Sequence, residues 1–239
     1  NNNQQEFEFT LTLGSESKNV TWSKNGNTGT VMGTSHEFKL KGGESITFSG
    51  INVNDTAVKV EEKDYTAQHY TTTVDDRTGH DVAISPETLK QNQTAGTTVA
   101  FVNEYTTPKL ESMTIQKKVT GEFGDRDKSF TFSVTLTNAN PALLSGVTHP
   151  NVANLTSFTL KHDEGVTLNQ IPVGTTITIT ETDADKYKTK ATDHGESKDR
   201  TFVYEVVEGK DGNAVLKAKN SILGIKVDET VKDNAIVVT

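Results

Sequence analysis

Three residues whose side chains can make an amide bond fall on alternating patterns that turn them toward an apolar interior. In the run Ser112-Met113-Thr114-Ile115-Gln116-Lys117-Lys118-Val119, two-residue periodicity puts Met113, Ile115, Lys117 and Val119 on one face. A face with three apolar members is a core face, so Lys117 is expected to point inward with them. The same parity groups Glu181 with Ile177 and Ile179, and Asn220 with Leu216 and Ala218. An unpaired ammonium or carboxylate in an apolar interior is very costly, so the three are expected to be partners. Burial lowers the pKa of a lysine and raises that of a carboxyl, because both charged forms lose solvation. A neutral Lys117 amine is a nucleophile. A protonated Glu181 can donate to the Asn220 carboxamide oxygen and shuttle protons while ammonia leaves. The product is an amide between the Lys117 and Asn220 side chains, formed once per molecule. The plainer alternative is a buried ion pair beside a hydrogen-bonded amide.

The strands that must position these groups belong to a pattern written twice. In the second copy, Lys117 is followed by Phe130-Thr131-Phe132-Ser133-Val134-Thr135-Leu136, Phe158-Thr159-Leu160-Lys161, Ile177-Thr178-Ile179-Thr180-Glu181 and Leu216-Lys217-Ala218-Lys219-Asn220. The first copy has Phe7-Glu8-Phe9-Thr10-Leu11-Thr12-Leu13, Phe38-Lys39-Leu40-Lys41, Val58-Lys59-Val60-Glu61-Glu62 and Val99-Ala100-Phe101-Val102-Asn103 in the same order. It has no counterpart of the strand that carries Lys117, and the spacing puts the missing lysine upstream of Asn1. Glu62 and Asn103 align with Glu181 and Asn220. Without a lysine they read as two polar residues facing a core slot and satisfied by water or a neighbour. They stand as a candidate catalyst and a candidate crosslink site.

Turn signals such as Lys24-Asn25-Gly26-Asn27, Lys41-Gly42-Gly43-Glu44 and Asp211-Gly212-Asn213 separate the alternating runs. No stretch sustains a 3.6-residue stripe; Ser85-Pro86-Glu87-Thr88-Leu89-Lys90 offers one helical turn at most. The reading is all-β: two tandem antiparallel β-sandwiches of immunoglobulin-like type, the first lacking its opening strand. Residues 1–108 form the first, 109–221 the second, and 222–239 a tail or the start of a further segment. A net charge of −8 without clustered basic residues excludes nucleic acid and anionic membranes as partners. There is no run long enough to span a bilayer, no signal peptide and no sorting signal. The chain is therefore expected to be cytosolic or a trimmed piece of something larger. Cysteine is absent, so disulfides and thiolate metal sites are unavailable.

The ordered set Thr114-Ile115-Gln116-Lys117-Lys118-Val119-Thr120-Gly121, Gly124-Asp125-Arg126, Phe158-Thr159-Leu160-Lys161, Leu168-Asn169-Gln170-Ile171-Pro172-Val173-Gly174, Thr180-Glu181 and Lys219-Asn220-Ser221 carries a family resemblance. Both copies resemble the Cna B-type (reverse immunoglobulin) domains of Gram-positive surface proteins. The second is similar to the C-terminal domain of streptococcal major pilins, the T-antigens. The resemblance implies spontaneous Lys–Asn isopeptide bonds with a catalytic glutamate, and by position these fall on Lys117, Asn220 and Glu181. It implies a structural subunit of a pilus or adhesin stalk, extracellular, in the cell wall or pilus of a Gram-positive bacterium. The competing reading is an adhesin head that grips a host protein or glycan through its loops. Beyond single-turnover bond formation nothing marks an enzyme, and no cofactor or metal is expected. The expected partners are neighbouring pilin or surface-protein domains, a lysine-bearing strand in trans, and a host ligand, without membrane insertion.

Other polar residues have plainer readings. The six histidines lack any metal-binding spacing. Asp75, Asp76 and Asp81 read as a solvated turn before a weak calcium site. The Asn-x-Thr triplets at Asn19, Asn54, Asn92 and Asn154 suit a Thr- and Asn-rich chain without glycosylation. Trp22 and Tyr70 are expected to pack in the core.

Overall fold

The computed structural model describes residues 4–92, 94–184, 186–222, 225–227 and 230–239, with backbone alone at 220–222 and 225–227. Two compact units divide at the proline-bearing join, Asn1–Thr106 and Thr107–Thr239. Both are built of β-sheets packed face to face, antiparallel apart from one parallel pair in the second unit.

In the first unit β1 (Glu6–Thr12), β2 (Ser35–Lys41), β3 (Lys59–Glu62) and β5 (Asp81–Ala83) form one sheet in the order β2-β1-β3-β5. A second sheet holds β4 (Tyr70–Val74) between β6 (Phe101–Tyr105) and the short strand Arg77–Thr78. A ribbon of Asn27–Thr30, Thr21–Lys24 and Thr47–Ser49 completes the unit. Phe7, Phe9 and Leu11 are buried while Glu8 and Thr10 are only half-covered, which is the alternation expected of a half-buried strand. The Asp75–Asp76 pair turns the chain between two strands with both residues at positive φ, 44° and 64°, the conformation of a primed hairpin turn. Asp81 is instead ion-paired with Lys59 at 2.9 Å, so the three aspartates do not converge. Trp22 stacks on His36, and Tyr70 packs edge-on against Phe7. Ser85 caps a helix over Pro86–Gln91 by accepting from the Thr88 N–H, somewhat longer than the single turn read from the sequence. Buried Asp55 accepts from the backbone N–H groups of Gly14 and Ala57 and from the Ser17 hydroxyl, tying two loops to the core.

In the second unit β7 (Lys109–Lys117), β8 (Phe130–Thr137), β9 (Phe158–Leu160), β10 (Gly165–Pro172) and β11 (Thr176–Glu181) are followed by β12 (Thr189–Lys190), β13 (Thr201–Glu208), β14 (Ala214–Ala218) and β15 (Ala235–Val238). One sheet runs β9-β8-β11-β13-β14 and the facing one β10-β7-β15. Met113 and Ile115 from β7, Phe130 and Phe132 from β8, and Ile177 and Ile179 from β11 share one core with Phe202, Tyr204 and Val206 of β13.

The strand beside β7 is a correction to the sequence reading. The sequence reading makes Leu216-Lys217-Ala218-Lys219-Asn220 the last block of the second copy, with Asn220 a partner of Lys117. Its Leu216 and Ala218 are buried, but β14 lies at the edge of the other sheet and pairs with β13. The neighbour of β7 is β15, running parallel to it, with Ile115 opposite Ile236 and Lys117 opposite Val238. Ile236 and Val238 are fully buried in the core, so residues 235–238 are part of the sandwich and not a tail beyond it.

Candidate functional site

β7 and β11 come from opposing sheets, and their inward faces meet near the end of the sandwich. Lys117, 2% exposed, and Glu181, 1% exposed, lie among apolar side chains as parity required. Lys117 Nζ sits 2.8 Å from Glu181 Oε1, a close ion pair without the geometry of a directed hydrogen bond. The other carboxylate oxygen, Oε2, accepts from the buried Thr189 hydroxyl at 2.8 Å. Phe130 places its ring 4.4 Å below the Lys117 ammonium, and Lys128 lies 5.2 Å from the same ring.

The first unit holds a matching arrangement without the amine. Glu62, 1% exposed, stands opposite Phe9 on β1 as Glu181 stands opposite Phe132 on β8. Asn103 donates to Glu62 Oε1 at 2.7 Å, and the Thr72 hydroxyl donates to Asn103 Oδ1 at 2.6 Å. Glu62 Oε2 is buried and has no partner among the described residues. Burial pushes the Glu62 carboxyl above its usual range, against the hydrogen bond it accepts from Asn103. Glu62 and Asn103, aligned from the repeat, are therefore in contact, and the neighbours that satisfy them are each other and a threonine.

Strand register relates the two sites position by position. On β6 and β4, Asn103 stands opposite Thr72 and Phe101 opposite Val74. In the second unit, Val238 bridges Ala191, and Lys190 and Thr239 exchange backbone hydrogen bonds of 3.0 and 2.8 Å. Continued by one rung, this register would set Thr189 opposite the position after Thr239, where the first unit has its asparagine. Asn220 belongs to a separate two-stranded pairing. Lys219 donates to the Val203 carbonyl, and Asn220 begins a hairpin opposite Val227. β13 intervenes between β14 and the strand that carries Glu181. The Asn220 side chain lies outside the described residues.

β6 differs from β15 in its surroundings. Among the described residues it has no neighbour on its outer side, Phe101 and Asn103 are half-buried, and Tyr105 is 50% exposed. Its counterpart β15 is covered on that side by β7.

Thr72 and Thr189 are the members that sequence reasoning missed. Threonine is common on both faces of strands, so no pattern separates these two from their neighbours. The repeat itself could have found them, since each lies on the strand that follows the glutamate.

A family model described as Domain of unknown function (DUF7601) matches residues 1–105 and again 111–210. The pilus tip adhesin Cpa of Streptococcus pyogenes is 32% identical over 114 residues, covering 41% of this chain and 17% of that protein. A solved structure of the pilus-presented adhesin Spy0125 (Cpa) is 30% identical and covers 55% of this chain and 27% of its own, with a TM-score of 0.36. The major pilin T3.2 from Streptococcus pyogenes serotype GAS13637 is 17% identical, with coverage of 98% and 89% and a TM-score of 0.37. The chain thus spans a small part of the adhesin it resembles. The sequence similarity to the pilus tip adhesin agrees with the likeness to pilus proteins read from the residues.

Proposed function

The chain belongs to the DUF7601 family, and on that premise we propose that it is a load-bearing segment of a Gram-positive surface pilus or adhesin stalk, locked by self-made isopeptide bonds. The observation that carries the reading is the ion pair between Lys117 and Glu181, sealed in an apolar core and repeated without its amine around Glu62 and Asn103. A buried ion pair gives little net stability over apolar residues of the same size, so its place in the second core, with a buried carboxyl at the matching place in the first, calls for chemistry. Lys117 is the nucleophile and Glu181 the acid–base group. Its acceptor is a carboxamide at the position that follows Thr239 on β15, in place of Asn220. The similarity to a pilus tip adhesin supports the extracellular setting and neighbouring surface-protein domains as partners.

In the first unit Asn103 is the acceptor and Glu62 the acid–base group, and the amine arrives on another strand. That strand lies along the free side of β6, parallel to it as β7 is to β15, with two apolar residues leading an inward lysine. It comes either from residues preceding Asn1 or from another chain. The unpartnered Glu62 Oε2 is the group its ammonium would meet. A peptide copied from residues 112–121, mixed with the protein, is expected to form a covalent adduct at Asn103 with loss of one ammonia. Glu62→Ala abolishes it. Absence of any adduct, with the peptide bound non-covalently in the groove, contradicts the reading.

A further inference from the structure

Each site contains a buried hydroxyl that the lysine–glutamate–asparagine scheme does not use. Thr72 and Thr189 are 2% and 1% exposed. Thr72 stands opposite Asn103, and Thr189 lies two residues before Ala191, which bridges Val238. Their hydroxyls nevertheless point at different groups. Where the carboxamide is present, Thr72 donates to its oxygen, Asn103 Oδ1. In the second unit, where the described residues place no carboxamide opposite it, Thr189 donates to the carboxylate, Glu181 Oε2. A β-branched side chain has few χ1 states, and a hydroxyl has one proton to donate. The two sites therefore record two uses of one hydroxyl.

We infer that this threonine is a further catalytic residue of the crosslinking reaction, the hydroxyl of Thr72 or Thr189 being a fixed donor to the oxyanion formed on the acceptor carboxamide. The inference rests on the bond-forming reading above. In the first unit the lone pair of the incoming lysine amine attacks Asn103 Cγ, and the C=O π electrons move to Oδ1. The Thr72 hydroxyl faces that oxygen, while the Glu62 carboxylate lies against the amide nitrogen that will leave. The amine then loses a proton to the carboxylate, which returns it to the leaving nitrogen. The new C–N bond is kept, the old one breaks, and ammonia departs. Donors aimed at a developing oxyanion are among the strongest contributors to acyl-transfer rates, about 10²–10³-fold for each donor. Before the acceptor arrives, the same hydroxyl holds one carboxylate oxygen, as Thr189 does, and leaves Oε1 toward the lysine.

The test follows adduct formation between the full chain and the 112–121 peptide for wild type, Thr72→Val and Thr72→Ser. Valine keeps the branched shape and removes the hydroxyl; serine keeps the hydroxyl and removes the methyl. The rate is expected to fall about 10²-fold in Thr72→Val and to return to within several-fold of wild type in Thr72→Ser. A peptide with methionine in place of the lysine should bind all three proteins equally, which separates chemistry from docking. Equal rates in wild type and Thr72→Val overturn this inference and leave the bond-forming reading intact. A wild-type protein that binds the peptide and never reacts overturns both.

Discussion

Lys117, Glu181 and Glu62 are ionisable groups placed where water cannot reach them, and their energetics follow from that placement. In the second unit the ammonium and carboxylate offset each other's desolvation, with an aromatic face beneath the ammonium. In the first unit the carboxyl has a neutral amide and no cation, and burial raises its pKa. The folded state therefore holds the Glu62 proton to higher pH than the unfolded chain does. Its contribution is fully present below the ordinary carboxylate pKa and is lost as pH rises through the raised value. Thermal unfolding of the first unit, followed through the chain's single tryptophan, Trp22, is expected to show a midpoint that falls as pH rises across that window. Glu62→Gln should flatten the dependence, because glutamine has no proton to lose. A pH profile unchanged by the substitution would contradict the assignment.

At the scale of strands, parity found the inward faces of β1, β7 and β11, and with them Lys117 and Glu181, while the repeat added Glu62 on β3. Period-two alternation reports which side chains share a face, and burial obeys it. It carries no information on which strands are neighbours, and the sequence reading failed there. Leu216-Lys217-Ala218-Lys219 alternates as well as any strand, but its outward lysines suit the edge of a sheet. Lys219 there pairs with Glu205 at 2.8 Å. Ala235-Ile236-Val237-Val238 is apolar throughout and closer in character to Val99-Ala100-Phe101-Val102. The placement of β15 is tested by Ile236→Ala, which is expected to cost the second unit about 3 kcal/mol, the usual range for a truncated core isoleucine. Faster hydrogen exchange in the amides of β7 would report it, and an unchanged exchange rate would put residues 235–238 outside the core.

For the whole molecule, the proposed bonds matter because of where they lie in each unit. Among the described residues β7 and β15 are the first and last strands of the second unit and run parallel as neighbours. Tension applied to the ends of that unit would shear one along the other. A covalent link from Lys117 to the position after Thr239 would carry that load and leave the intervening strands unstrained. By analogy with a disulfide, closing a loop of this length would also restrict the unfolded chain by about 5 kcal/mol. The most direct test is the intact mass of this chain with one asparagine added after Thr239, measured beside the chain that ends at Thr239. The extended chain is predicted to be lighter than its composition by one ammonia, to regain that mass in Lys117→Ala and Glu181→Ala, and the shorter chain to keep its full mass. Full mass in the extended chain would contradict the account, and ammonia loss already present in the shorter one would return the acceptor role to Asn220.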